Sequence, residues 1–351
     1  MSLQSMIEAG TKVWLDGVEP NDVRKNRARG ISGATSNPII ISEIIKAGGL
    51  DEIISKMLDS GDDDSTIAWK LTDHLVRDAQ EVFRPVWEQT KGDDGYVSFE
   101  LDPLLEDVQS PTPRKDAAKK YVELAKEWSA GHKNRMIKVP ATDAGLDALE
   151  EIAANGTTIN VTLIFSERQY KIARDAIWRG AQRRNSGLGD FKSVYSIFIS
   201  RVDVYTEKHV PELSKDAQGK VGLLNAKELW KMNREFWADK KLRLHQEFIF
   251  ASTGKKMKWQ ADDYYVENLV GSDIQTNPPA TNEFVANNDK QYKRTVDQFP
   301  PKAIIDEIHQ KVDINKMEQK LMEEGTLKFA DPQKALLKLI GEKRSQLTAA
   351  K

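Results

Sequence analysis

The 351-residue chain carries 52 basic and 54 acidic side chains, for a formal net charge of −2, a balance that argues against dedicated nucleic-acid binding. It has no cysteine, which excludes a disulfide scaffold, a thiol nucleophile and a thiolate metal site. A hydrophobic share of 39% with eight Trp supplies a sizeable core, and the length suits one large α/β barrel with additions or two average domains.

The N-terminal MSLQSMIEAGTKVWLDG lacks the basic start and apolar core of a signal peptide. No apolar run approaches a membrane span. A cytoplasmic protein with no membrane contact is the expectation.

Short β-like runs alternate with amphipathic helical stretches, the pattern of a parallel α/β fold. In chain order the predicted strands are TKVWLD (11–16), GISGATS (30–36), GYVSFEL (95–101), RMIKVPA (135–141), TINVTLIF (158–165), SVYSIFIS (193–200), EFIFAST (247–253) and a weaker DYYVENL (263–269). Eight strands separated by helices fit a (β/α)8 TIM barrel better than an open sheet. Between them, PIIISEIIKAGGLDEIISKML (38–58) reads as a helix with Pro at its start, where the missing N–H is harmless. GDDDST (61–66) reads as a solvated turn. RKDAAKKYVELAKEWSAG (114–131) reads as a helix stopped by Gly. Ser166 and Gln169 form a capping box ahead of YKIARDAIWRGAQRR. DINKMEQKLMEEG (313–325) reads as a further helix closed by Gly. QFPPKAIIDE (298–307) marks a joint, so about 290–351 is expected to be a helical C-terminal extension on a single barrel domain.

Alternate residues of a strand face opposite sides. Val13 and Leu15 oppose Trp14 and Asp16. Val97, Phe99 and Leu101 oppose Ser98 and Glu100. Ile137 and Val139 oppose Met136, Lys138 and Pro140, and Ile159, Val161, Leu163 and Phe165 oppose Thr158, Asn160 and Thr162. Asp16, Glu100, Lys138 and Thr162 thus share the less apolar face near the C-terminal end of four strands, where barrel active sites are built. Singly each has a bland reading: a snorkelling Lys, a turn-forming Asp, a solvent-facing Glu, an ordinary β-forming Thr. Together, on strands covered on both faces, they would be expensive to bury without pairing or a chemical use. An amine in a low-dielectric lumen has a lowered pKa and can attack a ketone. The iminium formed is an electron sink for cleavage of the adjacent C–C bond, and nearby carboxylates can move the protons. The chemistry is of the class I aldolase type. His74, His132, His209, His245 and His309 show no metal-ligand spacing, and no nucleotide-type phosphate loop is present.

As whole segments, GATSNPIII (33–41), VSFELDPLL (97–105), MIKVPATDAGLDALEEI (136–152), GTTINVTLIFSERQY (156–170), SVYSIFISRVD (193–203) and FASTGKK (250–256) closely resemble the transaldolase family in order, over about residues 11 to 285. The resemblance implies an eight-stranded α/β barrel with no metal or organic cofactor, its Schiff-base lysine at Lys138. It further implies proton shuttling by Asp16, acid/base work by Glu100, and a catalytic water held by Glu100 with Thr162. Asn37 is expected to bind substrate hydroxyls. Ser196, Arg201, Ser252 and Lys256 are expected at the phosphate, an Arg giving bidentate contact and a Lys a point charge. The implied reaction moves a dihydroxyacetone unit from sedoheptulose 7-phosphate or fructose 6-phosphate to glyceraldehyde 3-phosphate or erythrose 4-phosphate, in the non-oxidative pentose phosphate pathway. Sugar phosphates are the expected partners; a monomer and a homodimer both stay open. Fructose 6-phosphate aldolases, shorter relatives, tend to carry Gln in place of Glu100 and Tyr in place of Phe198, so both positions favour transfer. A non-catalytic sugar-phosphate-binding barrel is the other alternative, and binding alone needs no such set. Two stretches depart from the family pattern: the long connection MKWQADDYYVENLVG, and the Trp-rich segment 215–245, which matches by helical character alone.

Overall fold

The computed structural model describes residues 2–107, 109 and 112–349. Eight strands, β1 (Lys12–Asp16), β2 (Gly33–Thr35), β3 (Val97–Glu100), β4 (Arg135–Pro140), β5 (Ile159–Ile164), β6 (Ser193–Phe198), β7 (Glu247–Ala251) and β8 (Ile274–Asn277), close in sequence order into one barrel. Every neighbouring pair is parallel, and β8 returns to β1 with Lys12 opposite Ile274 and Leu15 opposite Asn277. This is the expected (β/α)8 barrel, and further helices follow the last strand. No described helix is long and apolar enough to cross a membrane.

The first seven strands fall inside the stretches expected of them; the eighth does not. DYYVENL instead forms a short helix, Tyr264–Glu267. Tyr265, Val266, Leu269 and Val270 are all buried, a helical spacing rather than a strand alternation. The true β8, IQTN, hides in polar residues, each bonded to a group on another element. Thr276 lies 3.0 Å from the Thr35 hydroxyl, Gln275 donates to the Val266 carbonyl at 3.2 Å, and Asn277 donates to Asn282 at 3.1 Å.

Side-chain alternation splits the interior into two layers. Val13, Leu15, Val97, Phe99, Ile137, Val139, Ile159 and Val161 pack outward against the helices, while Trp14, Met136, Val194, Ile249 and Ile274 fill the lumen. Gly33 makes room for the Trp14 ring, since a Cβ there would approach it to 2.5 Å. One strand breaks the alternation. Leu163 and Phe165, expected outside, join the lumen layer, because the β5–β6 register shifts between Val161 and Ile164 and Leu163 has φ +59°. A bulge re-aims the side chains that follow it, and here it turns Leu163 toward the mouth.

Three helix expectations need correction or extension. The 38–58 stretch is two helices, Pro38–Lys46 and Asp51–Asp59, separated where Gly48 and Gly49 take φ of +83° and +87°. In the acidic turn, Asp63 caps the helix Asp64–Gln89 by accepting from the Thr66 N–H at 2.7 Å. The C-terminal helix does not stop at Gly325; it runs Ile314–Ala349, through Gly325 and Pro332. Gly325 serves close approach instead, since a Cβ there would sit 3.3 Å from Leu163 Cδ2.

Candidate active site

β1, β3, β4 and β5 bring the four expected residues to one end of the lumen. Register places Asp16 beside Thr35, Glu100 beside Lys138, Lys138 beside Asn160 and Pro140 beside Thr162. Lys138 Nζ lies 3.4 Å from Glu100 Oε2 and donates at 3.4 Å to the Ser36 carbonyl. Lys138 is 6% exposed and Glu100 8%, so neither charge is well hydrated. Burial pushes the Glu100 carboxyl up to about 7, and the opposing pull of Lys138 does not cancel it. Asp16 is also raised by burial, against Lys138 and a 3.0 Å hydrogen bond from Thr35. A carboxyl titrating near 7 can both give and take a proton at neutral pH. The Thr162 hydroxyl is fully buried and has no hydrogen-bond partner among the described residues, so it is available to a ligand or a water.

The other expected residues divide. Asn37 caps the helix Pro38–Lys46, its carboxamide oxygen accepting from the Ile39 and Ile40 N–H groups at 3.0 and 3.2 Å, which aims its amide N–H pair elsewhere. Ser196 donates to Asn160 at 2.7 Å, and Asn160 donates to Ser98 at 2.9 Å. These three make a chain across the lumen. Arg201 opens the helix Ser200–His209 and lies over the Phe198 ring at 4.8 Å. Its Nη1 is buried without a partner among the described residues. Burial lowers its pKa, while Glu100, Asp16 and Glu324 work to raise it. The Ser252 hydroxyl, on a backbone with φ +58°, lies 2.8 Å from that of Ser200. Lys256 is held below its usual range by partial burial and by repulsion from Arg201 and Lys328. A cation cluster next to a helix N-terminus suits a phosphate.

Sequence reasoning missed three participants. Thr35, on the third position of β2, orients Asp16; as the lumen-facing residue of GATS it carried the same alternation signal as Asp16. Glu106 accepts from Thr142 at 2.6 Å and Tyr121 at 2.8 Å at the edge of the mouth, and burial raises it. Phe329, whose ring centroid is 5.4 Å from Lys138 Nζ, gave no signal because its helix was expected to end four residues earlier.

The description "Transaldolase/Fructose-6-phosphate aldolase" belongs to the family model that matches residues 13–340. The chain belongs to this family. A protein of Streptomyces avermitilis named transaldolase 2 is 32% identical over 96% of this chain and 95% of its own. Proteins named transaldolase from Mycobacterium tuberculosis and Thermobifida fusca are each 32% identical, the first over 99% of this chain and 98% of its own, the second over 82% of each. The family match takes in every residue of the lumen cluster and extends along the C-terminal helix past Phe329. A cavity of about 530 Å³ lies at the opposite end of this transaldolase-family barrel, among Lys12, Asp93, His245, Glu247 and Asp273. Those are N-terminal ends of strands, the face that serves stability in such barrels.

Proposed function

We propose that this enzyme is a transaldolase: it transfers a dihydroxyacetone unit from sedoheptulose 7-phosphate or fructose 6-phosphate to erythrose 4-phosphate or glyceraldehyde 3-phosphate. The observation that carries the reading is the buried Lys138–Glu100 pair, 3.4 Å apart, at the C-terminal end of the barrel. Lys138 Nζ attacks the C2 carbonyl of the ketose to give a carbinolamine. Glu100, through a water held by Thr162, donates the proton on which hydroxide leaves as water, and the iminium forms. Asp16 takes the C4 hydroxyl proton as the C3–C4 bond breaks. The bond's electrons pass into the iminium, the aldose phosphate departs, and an enamine of dihydroxyacetone stays on Lys138. The enamine carbon then attacks the aldehyde of the second aldose phosphate, and the same proton transfers in reverse free the new ketose. Arg201 and Lys256 hold the phosphate, with Ser252 beside them, and Asn37 donates to substrate hydroxyls. Placement in the cytoplasmic non-oxidative pentose phosphate pathway, on one barrel domain with a helical extension, completes the proposal.

Retention of Glu100 and Phe198, where the shorter aldolases tend to carry Gln and Tyr, favours transfer over simple cleavage. Borohydride reduction with fructose 6-phosphate tests the scheme. A dihydroxyacetone-derived mass on the Lys138 peptide is expected, together with loss of both adduct and turnover in Lys138→Ala. Near-normal turnover in that variant would end the Schiff-base reading.

A further inference from the structure

The helix Ile314–Ala349 lies across the barrel mouth and is tied down on both sides of it. Near its start Glu318 accepts from Ser166 and from Arg168, whose Nε lies 3.0 Å away. Farther along, Lys334 pairs with Asp107 at 2.8 Å, Lys343 with Asp51 at 2.7 Å and Arg344 with Asp64 at 2.6 Å. Between these ties the helix turns one face to the lumen. Gly325 lets the backbone close on Leu163 and Arg201. Thr326 and Phe329 share a small cleft with Glu100, Pro140 and Leu163. The half-buried Phe329 ring then stands 5.4 Å from Lys138 Nζ, within the range at which a ring face attracts a cation.

The chemistry proposed above has a vulnerable interval. After the first aldose phosphate leaves, the three-carbon unit waits on Lys138. If the enamine is protonated on carbon, water can add to the iminium carbon. The carbinolamine then collapses, its C–N bond breaks, and free dihydroxyacetone and the Lys138 amine are released. That hydrolysis competes with attack on the acceptor aldehyde. Closing a site against water is one way an enzyme suppresses such a side reaction.

We propose that Phe329 is a specificity-determining residue of this site: its ring covers the Lys138 Schiff base against bulk water and so commits the three-carbon unit to an aldehyde acceptor. The proposal rests on the transaldolase reading, and it adds a determinant from outside the barrel. The apolar cover matters more than the ring's charge preference, because exclusion needs an apolar surface that water does not wet, and not an aromatic face.

The test uses the full chain with fructose 6-phosphate and glyceraldehyde 3-phosphate. Free dihydroxyacetone and sedoheptulose 7-phosphate are both measured, and borohydride trapping is run alongside. Phe329→Ala and the similarly long but polar Phe329→Gln are each expected to raise the ratio of release to transfer by about tenfold, the effect of a modest change in relative barrier heights. Both retain the trapped adduct on Lys138. Phe329→Leu, which keeps an apolar cover, holds the ratio within about twofold of the parent on the same scale. Leu327→Ala, at a solvent-facing position of the same helix, leaves it unchanged. An unchanged ratio in Phe329→Ala and Phe329→Gln with trapping intact overturns the proposal, as does an equal rise in Leu327→Ala. Failure of the parent itself to trap any adduct refutes the underlying reading instead, so the two are told apart.

Discussion

Glu100, the acid/base of the proposed mechanism, also bears on stability because it is buried. Its pKa is raised from 4.5 to about 7 by burial, so the folded protein holds a proton there that the unfolded chain has released. The stabilisation is fully present below pH 4.5 and is lost as pH rises through about 7. Glu100→Gln removes this dependence. The variant should gain stability relative to the parent across that window by roughly 3 kcal/mol, and level off above it. Urea unfolding of both proteins from pH 4 to 8.5 measures the difference; a constant offset would mean that the carboxyl is not protonated in the fold. Arg201 should act differently, through ground-state binding. Arg201→Lys keeps the charge but loses the planar fork, so KM for the ketose phosphate should rise about 10- to 100-fold while kcat changes little, as for lost charge-assisted hydrogen bonds. A fall in kcat at unchanged KM would place Arg201 outside phosphate binding.

At the scale of elements, glycines inside helices decide how closely neighbours pack. The helices Asp143–Ala154 and Glu167–Gln182 meet at Gly180, where a Cβ would fall 2.1 Å from the Glu150 carbonyl oxygen. Helix propensity alone favours Ala over Gly by about 1 kcal/mol. The clash should outweigh it, so Gly180→Ala is expected to lose about 1–3 kcal/mol by denaturant midpoint. A more stable variant would show that the helices can separate freely. Glycine also explains where sequence reading succeeded and failed. Gly48 and Gly49 did break a helix, though the apolar run around them suggested one. Gly325 did not, because its role is contact with Leu163 and not termination. Seven strands could be read because their outward faces are mainly apolar, polar only where Arg135 opens β4 and Ser193 opens β6. β8 could not, because its outward-facing positions, Gln275 and Asn277, are polar and bond to Val266 and Asn282, and DYYVENL imitates a strand with residues that a helix buries. The four lumen residues were readable for the same reason as the strands that carry them. Thr35 carried the same signal and was passed over, whereas Phe329 was hidden by tertiary structure alone.

Across the whole molecule the two ends of the barrel do different work, and β7 joins them. At its N-terminal end Glu247 sits between Lys12 at 2.8 Å and Lys192 at 2.5 Å, with Asp93 sharing both lysines and accepting from His245. Burial works to raise Glu247, but Lys192 and Lys12 outweigh it and hold its carboxyl below the usual range. At the other end the strand reaches Ala251 and delivers Ser252 to the mouth. Four strand steps separate Glu247 from Ala251, or about 13 Å, so a change at one end need not disturb the other. Glu247→Ala strands a fully buried lysine with the His245 carbonyl at 2.6 Å and Asp93, at 3.4 Å, as its one remaining carboxylate, and breaking a buried pair in this way costs about 3–5 kcal/mol. The variant should therefore unfold at markedly lower urea, while its kcat at 25 °C and its borohydride adduct on Lys138 match the parent. Equal losses of stability and turnover would mean that the barrel base transmits strain along β7 to the mouth, and the separation of scaffold from site would have to be given up.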